Sequence, residues 1–398
     1  MYIYGIFKSG KVDNVQVEDP AGSGYNTGDR PGTGKMEHMA EATGYRAVID
    51  WIRQAVASGE LRRGDRLPSE KELCEQFGLS RQTIRHATGE LEKEGLLTRV
   101  RGSGTYVGGS ISLQRTPKYK NIAVVSTYVD SYIFPPTIRG IESVLAEAGY
   151  STQLAFTDDL ISRERLILTN LLEKGNIDGL IIEPSKSALP NPNLDLYRRL
   201  LENRIPILFF NASYEELKLP CVRIDDVQTG RQAAEVLIRA GHTSLFAILH
   251  LEDIQGKLRY KGFVEAVDAA GLRPEDQGLF WLDNIGFRDL ERISDYLFER
   301  MKGHTGVMCY NDEVAFKLIQ MAQKRGIGVP EDLSVVSIDN SNLADICPVP
   351  FTSCFHPKEK LGVKAAENLL KMIEDPAYDG NYMFTSMPFY RESVRTLN

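Results

Sequence analysis

Residues 64–107 read GDRLPSEKELCEQFGLSRQTIRHATGELEKEGLLTRVRGSGTYV, and this stretch decides the fold of the N-terminal part. Ser69 followed by Glu72 is a capping box, in which a hydroxyl and a carboxylate satisfy two otherwise unpaired amides at a helix start. The helix it opens runs through Leu73 to Phe77, and Gly78 supplies the left-handed stop. Ser80 caps the next helix, whose Thr83, Ile84, Ala87 and Leu91 fall on one face. Two short strand segments follow, Leu97–Val100 and Thr105–Val107, joined by the turn Arg101-Gly102-Ser103-Gly104. Upstream, Tyr45, Val48, Ile49, Ile52 and Val56 keep helical spacing. Three helices and a two-stranded ribbon make a winged helix-turn-helix over residues 41–107.

The match to a known family is dense. Gly64-Asp65, Leu67-Pro68-Ser69-Glu70, Ser80-Arg81, Thr83, Arg85, Glu94-Gly95 and Gly102-x-Gly104-Thr105 stand at fixed spacing, and with them the chain resembles the reading heads of GntR-type bacterial regulators. It departs from them at Gly44, where related heads often carry a basic residue. The chemistry agrees with DNA binding. The third helix presents its positive end and free amides to phosphate, with Ser80 and Thr83 placed for that contact. Arg81 and Arg85, four apart, share one face and suit guanine edges or phosphates, while Gln82 suits an adenine edge. Arg101 and Gly102, at the wing tip, are placed for the minor groove, and Glu70 and Lys71 for the neighbourhood of the DNA backbone.

The bulk numbers leave room for this. The chain carries a formal charge of −7. Yet residues 41–110 hold 11 Lys and Arg against 10 Asp and Glu, whereas residues 111–398 hold 32 against 39. Phosphate binding depends on where the basic groups sit, so an acidic remainder does not exclude a DNA-reading head. Residues 1–40 include the Gly- and Pro-rich Asp19–Lys35 and are expected to be a disordered extension, with Met36 or Met39 as alternative starts. Five scattered cysteines without a C-x-x-C pair argue against a zinc knuckle or a disulfide framework, and so against a structural metal. No apolar run approaches the roughly 20 residues that span a bilayer, and no secretory leader opens the chain. A cytoplasmic location without membrane contact is the expectation.

After a Gly/Ser/Pro linker at 108–119, the period changes. Apolar runs such as Ile122–Ser126, Asp178–Glu183, Pro206–Phe210, Leu245–His250, Gly306–Tyr310 and Leu333–Ile338 alternate with helical segments. That alternation means an α/β domain with parallel sheets, and about 280 residues favour two lobes over one. Tyr119–Val125, Ile177–Ile182, Asp225-Asp226-x-x-x-Gly230, Arg259-x-x-Gly262-Phe263, Cys309-Tyr310-Asn311-Asp312 and Val329–Asp339 resemble the sugar-binding half of LacI/GalR repressors, a two-lobed periplasmic-binding-protein fold. The resemblance covers nearly all of 120–398, which it implies is a sugar-binding and dimerisation domain. A GntR head on such a body is uncommon. With Tyr132–Pro135, Glu183–Ala188, Asn211–Tyr214, Asp253–Gly256 and His356–Lys358, the pairing is similar to the arabinose repressors. That similarity implies a homodimeric repressor of arabinose-utilisation genes that leaves double-stranded operator DNA when L-arabinose binds.

A sugar site needs polar groups for neighbouring hydroxyls and an aromatic face for the ring, supplied at the C-terminal ends of strands. Glu183, Asn211, Asn311 and Asp339 follow strands, and Arg259 opens a helix. The LacI-type match points most directly to Arg259, Asn311 and Asp339; Glu183, Asn211, Lys186 and His356 complete the set. Tyr132 is placed to stack on the ring, with Tyr128, Phe134 and Trp281 as alternatives. A carboxylate in such a place equally serves as a helix cap, and Asp312 reads that way. No nucleophile elbow, zinc-protease helix or phosphate loop occurs, and no setting for a Schiff-base lysine, so neither catalysis nor a cofactor is expected. Two other readings stay open: the same architecture answering to another sugar, or a cytosolic sugar-binding module or activator.

Overall fold

The structure is a computed structural model describing residues 34–58, 60–61, 65–100, 104–108, 117–129 and 133–397, with side chains omitted at 34–43, 57 and 100. Residues 1–33, Arg101, Gly102, Tyr132 and most of the 108–119 linker lie outside the described residues. The chain divides into two compact units, Met1–Ile111 and Ser112–Asn398.

In the first unit, helices α1 (Gly34–Ala57), α2 (Glu70–Phe77) and α3 (Arg81–Lys93) precede strands β1 (Leu97–Val100) and β2 (Gly104–Val107). Helix α1 begins before residue 41, so the boundary expected from sequence falls inside it. The capping box forms: Ser69 N donates to Glu72 Oε2 at 2.7 Å, and Glu72 N to Ser69 Oγ at 3.3 Å. Gly78 ends α2 at φ 65°, a conformation only glycine adopts without strain. Val48, Ile52, Leu73, Ile84, Leu91, Leu97 and Val107 close one small core, and β1 pairs antiparallel with β2, Leu97 opposite Val107. This is the winged helix-turn-helix.

The second unit has two lobes, each built on a six-stranded sheet. Its strands are β3 (Asn121–Ser126), β4 (Ser151–Phe156), β5 (Gly179–Ile182), β6 (Ile207–Phe210), β7 (Cys221–Ile224), β8 (Leu245–His250), β9 (Gly278–Leu282), β10 (Gly306–Cys309), β11 (Ser334–Asp339), β12 (Thr352–Phe355), β13 (Tyr382–Phe384) and β14 (Pro388–Phe389). The first lobe orders them β13-β7-β6-β5-β3-β4, all parallel; the second, β14-β12-β11-β10-β8-β9, is parallel except at β14. The helices are α4 (Phe134–Glu147), α5 (Ile161–Lys174), α6 (Leu194–Glu202), α7 (Asp226–Arg239), α8 (Ile254–Ala269), α9 (Asn284–Arg288), α10 (Ser294–Met301), α11 (Asp312–Lys324), α12 (Leu343–Ile346) and α13 (Lys358–Glu374). The chain passes between lobes after β7, β12 and β13.

Why these strands are apolar throughout is visible in their neighbours. On β5, Leu180 and Ile182 enter one core and Ile181 the opposite one; on β8, Phe246 and Ile248 face one way and Leu245, Ala247 and Leu249 the other. A sheet covered by helices on both faces buries every position of its central strands. Helices α7 and α8 touch at backbone distance: a Cβ on Gly230 would stand 2.2 Å from Arg259 O, and one on Gly262 would stand 1.9 Å from Val227 O. That close approach sets Arg259 of α8 beside Asp226 of α7.

Candidate functional site

The C-terminal ends of the parallel strands in both lobes converge on one cavity of about 770 Å³. Its wall includes Glu183 beyond β5, Asn211 beyond β6, Asn311 beyond β10, Asp339 at the end of β11, His356 beyond β12, and Arg259 from the second turn of α8. Six of the eight residues expected from sequence are thus brought together; Tyr132 lies outside the described residues. Lys186 is not in the wall. It stands at φ 46°, and its ammonium pairs with Glu252 at 2.7 Å. Trp281 is also elsewhere, edge-on to Tyr260 at 5.6 Å on the helix-covered face of β9. Tyr128 and Phe134 do line the cavity, as does Phe287, which sequence reading passed over.

The polar groups are held by one another. Glu183 is buried and accepts from Asn211 Nδ2 at 2.7 Å and from Thr127 N at 3.1 Å. Burial pushes its carboxyl up to about 7, against the pull of those donors. Asn211 takes φ 62°, and its Oδ1 has no hydrogen-bond partner among the described residues. The same holds for His356 Nδ1. Burial, then the charges of Lys358 and Arg259, push the His356 imidazole down to about 3, so it is neutral at physiological pH. Arg259 is buried; its Nε donates to Asp226 Oδ1 at 2.9 Å and an Nη to Tyr310 O at 2.6 Å. Burial lowers its pKa, but Asp226, Tyr310 and Asp339 outweigh that and hold the guanidinium charged.

Several wall residues escaped the sequence reading: Asp159, Asp226, His250, Asp253, Asn284 and Tyr310. Most stand at strand ends too, and the rule that found Glu183 would have found Asp159 after β4 and His250 on β8. Asn284 follows β9, a partly exposed edge strand whose apolar run GLFWL is too short to distinguish a strand from a helix segment by periodicity. Burial and the neighbouring Asp253 push the Asp159 carboxyl up to about 6, although Asn284 Nδ2 donates to it at 2.6 Å. The cap of α11 is Asn311, whose Oδ1 accepts from Val314 N at 3.1 Å. Asp312 is therefore not the cap. It is buried one residue inside the helix, accepting from Ser341 N at 2.6 Å and from the Ser353 hydroxyl.

Such a wall mixes charged acceptors, a charged donor, amides and neutral histidine around aromatic faces. That is what a polyhydroxylated ring demands, since each hydroxyl both donates and accepts while the ring's C–H face is apolar. Among the described residues no cluster of His, Cys, Asp and Glu fits a metal ion, and no helix is long and apolar enough to cross a membrane.

In the first unit, Arg81, Gln82 and Arg85 project from the start of α3 into solvent, and Lys71 does so from α2. Ser80 caps α3, its Oγ accepting from Thr83 N at 3.2 Å. Thr83 itself is buried and its hydroxyl lies 2.8 Å from Ser80 Oγ, so it supports the cap from within instead of facing outward. Glu70 accepts from Arg85 Nε at 3.0 Å and also binds Arg99, fixing both guanidinium groups on one surface.

Residues 44–107 match the profile of bacterial regulatory proteins of the gntR family, and residues 234–394 that of a periplasmic binding protein-like domain. Among curated proteins, the chain is 36% identical over 356 residues to the arabinose metabolism transcriptional repressor of Geobacillus stearothermophilus, covering 88% of this chain and 96% of that one. It is 36% identical over 343 residues to the protein of the same name from Halalkalibacterium halodurans, covering 85% and 91%. Among solved structures, a LacI family transcriptional regulator from Enterococcus faecium with bound ribose matches at a TM-score of 0.60 and 25% identity, over 70% of this chain and all of that one.

Proposed function

Because the chain belongs to the family of arabinose metabolism transcriptional repressors, we propose that it represses arabinose-utilisation genes and leaves its operator when L-arabinose fills the cavity between the lobes. It is a DNA-binding, sugar-responsive regulator and not an enzyme: its relatives and structural neighbours are transcription regulators. The observation that carries the ligand assignment is the pair of buried, unpartnered polar atoms on the cavity wall, Asn211 Oδ1 and His356 Nδ1. Buried polar atoms find partners in stable proteins, so two left without one on residues that line one cavity favour a ligand that supplies hydroxyls.

In this reading Glu183, Asn211, Arg259, Asn311, Asp339 and His356 contact the sugar, with an aromatic side chain covering its apolar face. No cofactor takes part. Ser80, Arg81, Gln82 and Arg85 contact the operator, and Arg101 and Gly102 at the wing tip enter the minor groove. The repressor works in the cytoplasm as a homodimer, because two reading heads related by a two-fold axis match a pseudo-palindromic operator. Five free cysteines are consistent with a reducing compartment. Residues 41–107 form the reading head, 108–119 the linker and 120–398 the effector and dimerisation domain. Isothermal titration of the full chain with L-arabinose, and with xylose, ribose and glucose as comparators, tests the assignment. Saturable binding of arabinose alone supports it; preference for another sugar moves the effector, and no binding by any of them removes it.

A further inference from the structure

The stretches Glu183–Ala188 and Asp253–Gly256 belong to different lobes, and they meet at the edge of the cavity. Lys186 Nζ lies 2.7 Å from Glu252 Oε1, with side chains 18% and 19% exposed. Ala188 N donates to Glu252 O at 2.9 Å, and Lys257 Nζ to Ala188 O at 3.0 Å. Most telling is Ile254, the first residue of α8. Its backbone N–H donates to Ser187 Oγ at 3.0 Å. The cap residue of α8, Asp253, makes no side-chain bond to the helix amides; its carboxylate instead accepts from Tyr310 Oη at 3.1 Å and lies 3.2 Å from His250 Nδ1. A helix start leaves amides unsatisfied. One of them, on the helix that carries Arg259, is satisfied by a hydroxyl from the opposite lobe.

Both sides of this junction are held firmly. Ser185, at the start of the turn, donates its amide to the fully buried Glu164 at 3.0 Å, and the same carboxylate accepts from Asn191 Nδ2 at 2.7 Å and Tyr214 Oη at 2.7 Å. Lys186 N donates to Asp159 Oδ1 at 2.7 Å. Across the cleft, the second oxygen of Glu252 accepts from Asn284 N at 3.1 Å. The Lys186–Glu252, Ser187–Ile254, Ala188–Glu252 and Lys257–Ala188 contacts all run from one lobe to the other, so parting the lobes breaks them.

We propose that Lys186, Ser187 and Glu252 form a latch that holds the two lobes closed: Lys186 and Glu252 lie outside the cavity wall and Ser187 on it, and together they are positioning residues that set how long the sugar stays bound. The assignment of a sugar as ligand rests on the function proposed above, but the latch itself does not require one. It also explains why Lys186 sits in the turn after β5 and yet outside the cavity wall.

The test uses the full chain in two measurements: amide hydrogen exchange of the first turn of α8, without sugar, and the stopped-flow dissociation rate of L-arabinose. The variants are Lys186→Met, Glu252→Gln, their double, Ser187→Ala and Ser187→Thr. Lys186→Met, Glu252→Gln and Ser187→Ala are each expected to speed exchange in that turn and to raise the dissociation rate about tenfold, with association unchanged within about twofold. The double loses no more than the worse of its singles, because the pair acts as a unit, and Ser187→Thr, which keeps the hydroxyl, behaves as wild type. Additive losses in the double, or wild-type exchange in Ser187→Ala, overturn the latch. If exchange follows the pattern while L-arabinose fails to bind wild type, the latch stands and the sugar assignment falls.

Discussion

Arg259 Nε donates to Asp226 Oδ1 at 2.9 Å, and the two side chains are 5% and 1% exposed, so the buried cation of the cavity wall has its counter-ion built into the adjacent helix. A buried guanidinium needs such an arrangement, because an unpaired charge there would cost several kcal/mol.

Removing one partner exposes that cost. Asp226→Ala should lower stability by about 3–5 kcal/mol, since it strands the guanidinium in the interior, whereas Asp226→Asn keeps an acceptor and should cost less. Urea denaturation followed by tryptophan fluorescence checks the order. Equal midpoints for wild type and Asp226→Ala would show that the pair does not hold the second lobe together.

Glu183 predicts a pH dependence with a definite sign. Its carboxyl is pushed up to about 7 in the folded protein from an ordinary value of 4.5. The folded state therefore binds the proton more tightly than the unfolded one. That contribution to stability is fully present below pH 4.5 and is lost as pH rises through about 7. Between those values wild type should lose up to about 3 kcal/mol relative to Glu183→Gln, which cannot ionise. Parallel stability curves for the two proteins across this window would contradict the burial argument.

On the DNA side, Arg85→Ala should weaken specific operator binding by about 1–3 kcal/mol and leave sugar affinity intact. Glu70 gives a sharper test. If its carboxylate acts by orienting Arg85 and Arg99, Glu70→Ala weakens binding even though it removes a negative charge from the reading surface. Tighter binding, measured by gel shift at fixed salt, would mean that the charge merely repels phosphate.

Asp178 ties residues 118–119 to the head of β5. Buried at the head of β5, it accepts from Lys118 N at 2.8 Å and from Tyr119 N at 2.9 Å; Glu183 stands at the other end of the same strand. Asp178→Ala should leave sugar affinity and sugar-free operator affinity near wild type, yet shrink the effect of each ligand on the other by about fivefold or more, roughly 1 kcal/mol of coupling. Unchanged coupling would show that the signal leaves the lobe by another route.

Local chemistry made much of this legible. The capping box at Ser69, the stop at Gly78 and the cap at Ser80 depend on residues close in sequence, and they stand as read. The continuous apolar runs identified the central strands because burial on both faces leaves no choice of residue there. The edge strands β9 and β13 escape although both are apolar, GLFWL and YMF, because a short apolar run does not by itself distinguish a strand from a helix segment. At the site, strand ends supplied Glu183, Asn211, Asn311 and Asp339. What sequence spacing could not supply was which strand-end groups point inward. Lys186 sits two residues past Pro184, but the Glu164 network turns its loop toward the other lobe, where Glu252 claims the ammonium. Asp226 was hidden in a family motif; its pairing with Arg259 depends on the close packing of α7 on α8 at Gly230 and Gly262, which spacing in sequence does not reveal.

Fluorescence anisotropy of a labelled operator from the protein's own promoter, titrated with the full chain with and without L-arabinose, reads both sites and their coupling at once. The expected result is tight, specific binding without the sugar and release by L-arabinose but not by xylose, ribose or glucose. Tight binding indifferent to L-arabinose would contradict the effector assignment, and absence of specific binding under either condition would contradict the repressor itself.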